Sequence, residues 1–212
     1  MHLFKKHMED YLNTFRIKYI MKFKGIRNVE FFAKGKRGRV FTGNYNGKKV
    51  AIKVNKKINN EKSWLKLLNK HKIGPKFIYS GKDYIVYEFI DGKRILDYIS
   101  ENDKKEIIKV LKEAFRQCRT LDRLKIDKKE MHNPWKHILI GKKIVMIDFE
   151  RCHKVDKGKN VTQFGQFLLR KKDLLKRKGI SIKRKEFIKI LKNYKNKETG
   201  NNYKIIITTI NK

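Results

Sequence analysis

Acidic residues are scarce in this sequence: 21 Asp and Glu stand against 56 Lys and Arg in 212 residues, a formal net charge of +35. An imbalance of that size excludes a polyanion-repelling surface and makes polyanions natural partners. Prolines and cysteines number two each. A disulfide framework is thereby excluded, and Cys118 and Cys152 lack the paired spacing of a metal site. No apolar run approaches the roughly 18 residues that a membrane-spanning helix needs, so no membrane partner is expected. Met1-His2-Leu3-Phe4-Lys5-Lys6 is not followed by the apolar segment and small-residue cleavage site of a secretory signal, and the expected address is cytoplasmic. Apolar material is present in ordinary amount, 40% hydrophobic and 11% aromatic. That is enough for a core and excludes wholesale disorder.

Along the chain the texture changes twice. Met8, Tyr11, Leu12, Phe15 and Tyr19 recur at helical spacing and predict an amphipathic helix over residues 3–24. From Val29 short segments rich in β-branched and aromatic residues follow: Val29–Ala33, Val40–Thr42, Val50–Val54, Phe77–Tyr79 and Tyr84–Phe89. Glycine turns separate them, Asn46-Gly47 being a tight-hairpin signal, and together they predict an antiparallel sheet. One helix, Glu61–Lys70, interrupts the strands and ends at Gly74-Pro75. After Asp91-Gly92 helices dominate. Ile107, Ile108, Leu111, Ala114, Phe115, Cys118 and Leu121 predict a long one over Asp103–Leu124, with others at Val161–Leu175 and Lys183–Tyr194. Two short strands, His137–Ile140 and Ile144–Ile147, flank the turn at Gly141, and Tyr203–Ile210 fits either a strand or a helix end. The expected class is α+β, with a helical extension over 1–26, a sheet-rich part over 27–90 and a helical part over 91–212.

Four sequence features point to phosphate chemistry. Ala33-Lys34-Gly35-Lys36-Arg37-Gly38-Arg39-Val40 joins the first two strands and places two glycines where backbone folds closely. Val50-Ala51-Ile52-Lys53 delivers a lysine on the next strand, and Glu61 opens the inserted helix with a carboxylate suited to pair with it. As a helix-N-terminal acid, Glu61 also has an ordinary role in the helix dipole. Ile144-Val145-Met146-Ile147-Asp148-Phe149-Glu150 is an apolar strand ending in an aspartate that offers oxygen to a hard cation.

This order of parts resembles the protein-kinase superfamily over roughly Phe31 to Glu150. Val50-Ala51-Ile52-Lys53 matches that family's strand lysine motif letter for letter, and its glycine loop is matched at Gly35, Gly38 and Val40. The first loop glycine is Ala33 here, and Asp148-Phe149 is followed by Glu150 rather than glycine. The compactness is similar to RIO-type and archaeal serine/threonine kinases. The resemblance implies a two-lobed fold, with a small antiparallel-sheet lobe, a hinge near Glu88–Gly92 and a reduced helical lobe. It implies binding of ATP with magnesium by Gly35, Gly38, Val40, Lys53, Glu61 and Glu88, and phosphoryl transfer to a protein hydroxyl, the protein substrate being unspecified. Asp148 then carries the metal.

The catalytic loop departs from the family. Counting back from Ile138-Leu139-Ile140, the metal-binding asparagine position is His137 and the catalytic aspartate position is His132. Glu130 and Asp127 are the other candidate bases if the loop is longer. A histidine at 137 is a poor partner for magnesium, so either a second metal is lost or manganese is preferred. This loop also suits a pseudokinase or slow ATPase acting as a switch on RNA. From Arg170 to Lys197, 13 basic residues face only Asp173 and Glu186, which suits RNA or ribonucleoprotein as a partner, and a basic RNA-binding module without a nucleotide site is a further rival.

Overall fold

The computed structural model describes residues 23–211. The helix expected over residues 3–24 lies outside them except for its last two positions, which belong to a turn. The chain divides into two units, one holding residues up to Lys62 together with Pro75–Phe89, the other Ser63–Gly74 together with Ile90–Lys212.

Within its described residues, the first unit contains a five-stranded sheet in the order β1-β2-β3-β5-β4. Its strands are β1 (Arg27–Lys34), β2 (Arg39–Tyr45), β3 (Lys48–Val54), β4 (Phe77–Ser80) and β5 (Tyr84–Glu88), and every neighbouring pair is antiparallel. Asn46 and Gly47 take φ of 48° and 74°, the positive values that close the β2–β3 hairpin at Tyr45 and Lys48. Strand alternation then sorts β3 by face. Val50 and Ile52 join Phe23, Ile26, Val29, Phe41, Tyr84 and Val86 in one core. Ala51 and Lys53 consequently point to the opposite face.

Asn55–Ile58 turns β3 into helix α1 (Asn59–Asn69) within four residues. Asn55 fixes this turn: its side-chain oxygen accepts the Lys57 N–H at 2.9 Å, and its carbonyl accepts that of Ile58 at 3.1 Å. The division between the units falls inside α1, after Lys62.

The second unit holds α2 (Ile95–Glu101), α3 (Lys104–Arg123), α4 (Asn160–Arg170), α5 (Lys172–Arg177), α6 (Arg184–Asn196) and α7 (Gly200–Thr209). Asp103 caps α3 by accepting the Glu106 N–H at 2.9 Å. The α3 stripe Ile107, Leu111, Ala114, Phe115, Cys118 and Leu121 is fully buried, and Phe115 meets Phe164 of α4 edge-on at 4.8 Å. Three short strands, β6 (Lys93–Arg94), β8 (Ile138–Ile140) and β9 (Ile144–Met146), form one sheet in the order β6-β8-β9. β7 (Ile126–Lys128) pairs antiparallel with β10 (Cys152–Lys154) in another. The class is therefore α+β.

One helical expectation is corrected, and one segment left open between strand and helix is decided. The segment Val161–Leu175 is two helices, because the chain turns at Lys171 (φ −108°, ψ 17°) and this redirection lets Leu175 bury. The 203–210 segment resolves to a helix despite its β-branched run. Thr199 caps α7 by accepting the Asn202 N–H at 3.2 Å, and Ile206 and Ile210, four residues apart, are both buried.

Candidate functional site

In the first unit the site is built around Lys53. Its ammonium lies 2.6 Å from Glu61 Oε2, with the lysine side chain 13% exposed and the glutamate 4%. The short Asn55–Ile58 turn supplies the geometry, since it returns the chain so that the third residue of α1 meets the outward face of β3. Glu61 also lies in the first turn of its helix, where the dipole favours a negative charge. Both readings of this residue therefore hold at once.

The β1–β2 loop is tied by the Gly35 N–H donating to the Gly38 carbonyl at 2.9 Å. A side chain at Gly38 would bring Cβ within 2.5 Å of the Val54 carbonyl oxygen. Glycine thus lets the start of β2 lie close against Val54 and Asn55 at the end of β3. Val40 pairs directly with Lys53 in the ladder. Glu88 is occupied structurally: its carboxylate accepts the Lys76 N–H at 3.3 Å, and its own N–H donates to the Lys76 carbonyl at 2.9 Å.

In the second unit, Asp148 follows β9 and takes φ of 65°, a left-handed conformation uncommon for a residue with a side chain. Its carboxylate Oδ2 lies 3.6 Å from His137 Nδ1. Two donors bonded to one ion at about 2.1 Å each lie roughly 3–3.5 Å apart, slightly closer than this pair, so a small side-chain adjustment would let it take a divalent cation by one nitrogen and one oxygen. The Asp148 carbonyl accepts from Lys128 Nζ, and the same ammonium donates to Glu130 Oε2 at 3.1 Å. Glu130 is nearly buried, and its other oxygen lies 3.7 Å from Arg151 Nε.

His132 is placed differently. It is exposed, with Nδ1 2.6 Å from the Lys129 carbonyl, so that nitrogen carries the proton and donates. Its own carbonyl accepts from Arg170. Asp127 is buried and faces His153 across the β7–β10 ladder, 3.9 Å from Nε2. The second unit therefore links Glu130, through Lys128, to Asp148, and His132 has no part in that set. Sequence reasoning missed Lys128 and Arg151, and the available signal was the mixed-charge run Asp127-Lys128-Lys129-Glu130, two lysines between two acids.

A buried network supports this loop from beneath. Asp122, at the end of α3, accepts the Asn160 N–H and side-chain N–H, both at 2.8 Å, and the Val161 N–H at 3.1 Å. Asn160 in turn accepts the Lys128 N–H at 3.0 Å and donates to the Ile126 carbonyl at 2.6 Å. Burial pushes the Asp122 carboxyl up to about 6, although the Asn160 and Val161 hydrogen bonds pull it down.

No protein-family model matches the sequence. Over 75 residues the chain is 31% identical to the uncharacterized protein MJ1211 of Methanocaldococcus jannaschii. That match spans 35% of this chain and 65% of the relative, so the chain covers just under two thirds of the relative's length.

Proposed function

We propose that this chain is a compact, two-lobed, RIO-like kinase that transfers the γ-phosphoryl group of ATP to a hydroxyl of a protein acceptor. The observation that carries this reading is the Lys53–Glu61 pair at 2.6 Å, with the glycine loop leading into β2, where Val40 pairs with Lys53. A lysine facing away from the sheet core and oriented by a nearly buried carboxylate is a fixed, water-shielded cation. Such a group suits recognition of phosphate oxygens. The backbone of Gly35–Gly38 covers the phosphates, Val40 lies beside Lys53, and Glu61 holds the ammonium in place.

Asp148 and His137 would hold a divalent cation, which supplies charge neutralisation on the phosphates when bound. Glu130 is the better base than His132, because it belongs to the same contact set as Asp148. In the reaction the acceptor oxygen forms a bond to the γ-phosphorus as the bond from that phosphorus to the β–γ bridging oxygen breaks. The hydroxyl proton passes to the Glu130 carboxylate, and ADP leaves. Catalysis in this scheme is positioning and charge neutralisation.

A second reading, a nucleotide-dependent switch on RNA, draws support from the absence of aspartate and asparagine at positions 132 and 137 and from the +35 charge. Titration with ATP and manganese, followed by radiolabel transfer to dephosphorylated casein, separates the readings. Binding with transfer supports the kinase, binding without transfer supports the switch, and absence of binding removes both.

A further inference from the structure

Lys128 is one of 56 basic residues, yet it has no exposed surface. Its ammonium donates to Glu130 Oε2 at 3.1 Å and to the Asp148 carbonyl, and it stands 4.9 Å from the centre of the Phe149 ring. Its backbone N–H is held by Asn160, which Asp122 anchors. Lys128 therefore has a fixed base and distributes its donors between two separate segments, the turn carrying Glu130 and the left-handed turn at Asp148.

Burying an ammonium is unfavourable unless it is fully partnered, and apolar side chains of similar volume often replace a buried ion pair without loss of stability. A chain that needed only a filled core here would be served by methionine. The donors of Lys128 instead meet the Glu130 carboxylate, to which the proposed reaction assigns the proton, and the backbone carbonyl of Asp148, whose carboxylate it assigns to the cation.

We infer that Lys128 is a positioning residue, setting the Glu130 carboxylate and the Asp148 turn in one arrangement without touching substrate itself. The inference rests on the proposed phosphoryl transfer. Lys128 orients Glu130 so that its carboxylate accepts the acceptor proton, and it holds the Asp148 carbonyl so that the carboxylate of that residue keeps its direction.

The test uses the full chain with ATP, manganese and dephosphorylated casein, and compares Lys128→Met, Glu130→Gln and the double variant. Lys128→Met should lower kcat at least a hundredfold while the ATP Kd and the casein KM stay within threefold. In the Glu130→Gln background, adding Lys128→Met should lower kcat by a clearly smaller factor, because the carboxylate it positions is already gone and only its hold on the Asp148 turn is left to lose. An unchanged kcat in Lys128→Met, or the same fold-loss in both backgrounds, overturns the inference. Lys128→Met alone leaves the buried Glu130 with Arg151, 3.7 Å away, as its remaining cation. If that variant does not fold, amide exchange of the double variant decides: exchange across residues 148–152 should rise at least tenfold, and unchanged exchange overturns the inference. Failure of the unaltered chain to bind ATP or transfer phosphate would instead remove the proposed function, and this inference with it.

Discussion

The Asp122 carboxylate receives both the backbone and the side-chain N–H of Asn160 at 2.8 Å, joining the end of α3 to the start of α4 beneath the loop that carries Lys128 and Glu130. Because burial raises its folded pKa from 3.8 to about 6, the folded protein binds this proton more tightly than the unfolded chain does. The resulting stabilisation is complete below pH 4 and is lost as pH rises through about 6. Chemical denaturation of the wild type and of Asp122→Asn from pH 4 to 7 isolates this group from the other carboxylates. The stability advantage of the wild type over the variant should shrink by on the order of 2 kcal/mol across that interval. A difference that is flat, or that grows with pH, contradicts the assignment.

The Gly38 position makes a steric prediction. A methyl group there meets the Val54 carbonyl oxygen, a backbone atom that moves only by distorting β3. Gly38→Ala should cost about 2 kcal/mol and weaken ATP binding at the same time. Gly47→Ala is the control for generic turn damage, since its φ of 74° makes it strained while nothing lies within 4 Å of the new Cβ. It should lose stability and keep the ATP Kd. Equal ATP binding in both variants would separate the Gly38 loop from the nucleotide.

The parts legible in the sequence were those governed by local periodicity. Alternation in Val50-Ala51-Ile52-Lys53 places Lys53 opposite the core residues Val50 and Ile52, and those two do join the sheet's core cluster, although Ala51 on the other face is buried as well. The heptad-like spacing of α3 and the Asn46-Gly47 turn were equally readable. The β7–β10 pair was not, because Ile126–Lys128 and Cys152–Lys154 are three residues each and are defined only by finding each other. Lys128 was hidden for a related reason. In a chain with 56 basic residues a lysine signals a solvated surface, and only the fold reveals one with no solvent contact. The α7 helix runs against its own β-branched composition, as tertiary burial of Ile206 and Ile210 overrides a weak local preference.

His137 beside Asp148 predicts a metal preference. Imidazole nitrogen suits manganese better than magnesium, so manganese should support the higher ATP turnover, and His137→Asn should shift the preference toward magnesium at least tenfold. Turnover at least tenfold faster with magnesium in the unaltered protein would exclude His137 as a ligand.

The basic segment from Arg170 to Lys197 predicts salt-sensitive RNA binding. If six or more of its 13 cations contact phosphates, affinity for a single-stranded oligouridine should fall about a hundredfold or more between 50 and 200 mM salt. A loss of only a few-fold, read by fluorescence anisotropy, argues against phosphate recognition by this surface.

The central claim is that Lys53, held by Glu61, binds the phosphates of ATP. Calorimetric titration of ATP and manganese into the unaltered protein and into Lys53→Met, with circular dichroism to show that both are folded, tests it most directly. The unaltered protein should bind one ATP, and Lys53→Met should lose at least a hundredfold in affinity while keeping its fold. An equal ATP affinity in the two proteins, or no binding by the unaltered one, would contradict the account.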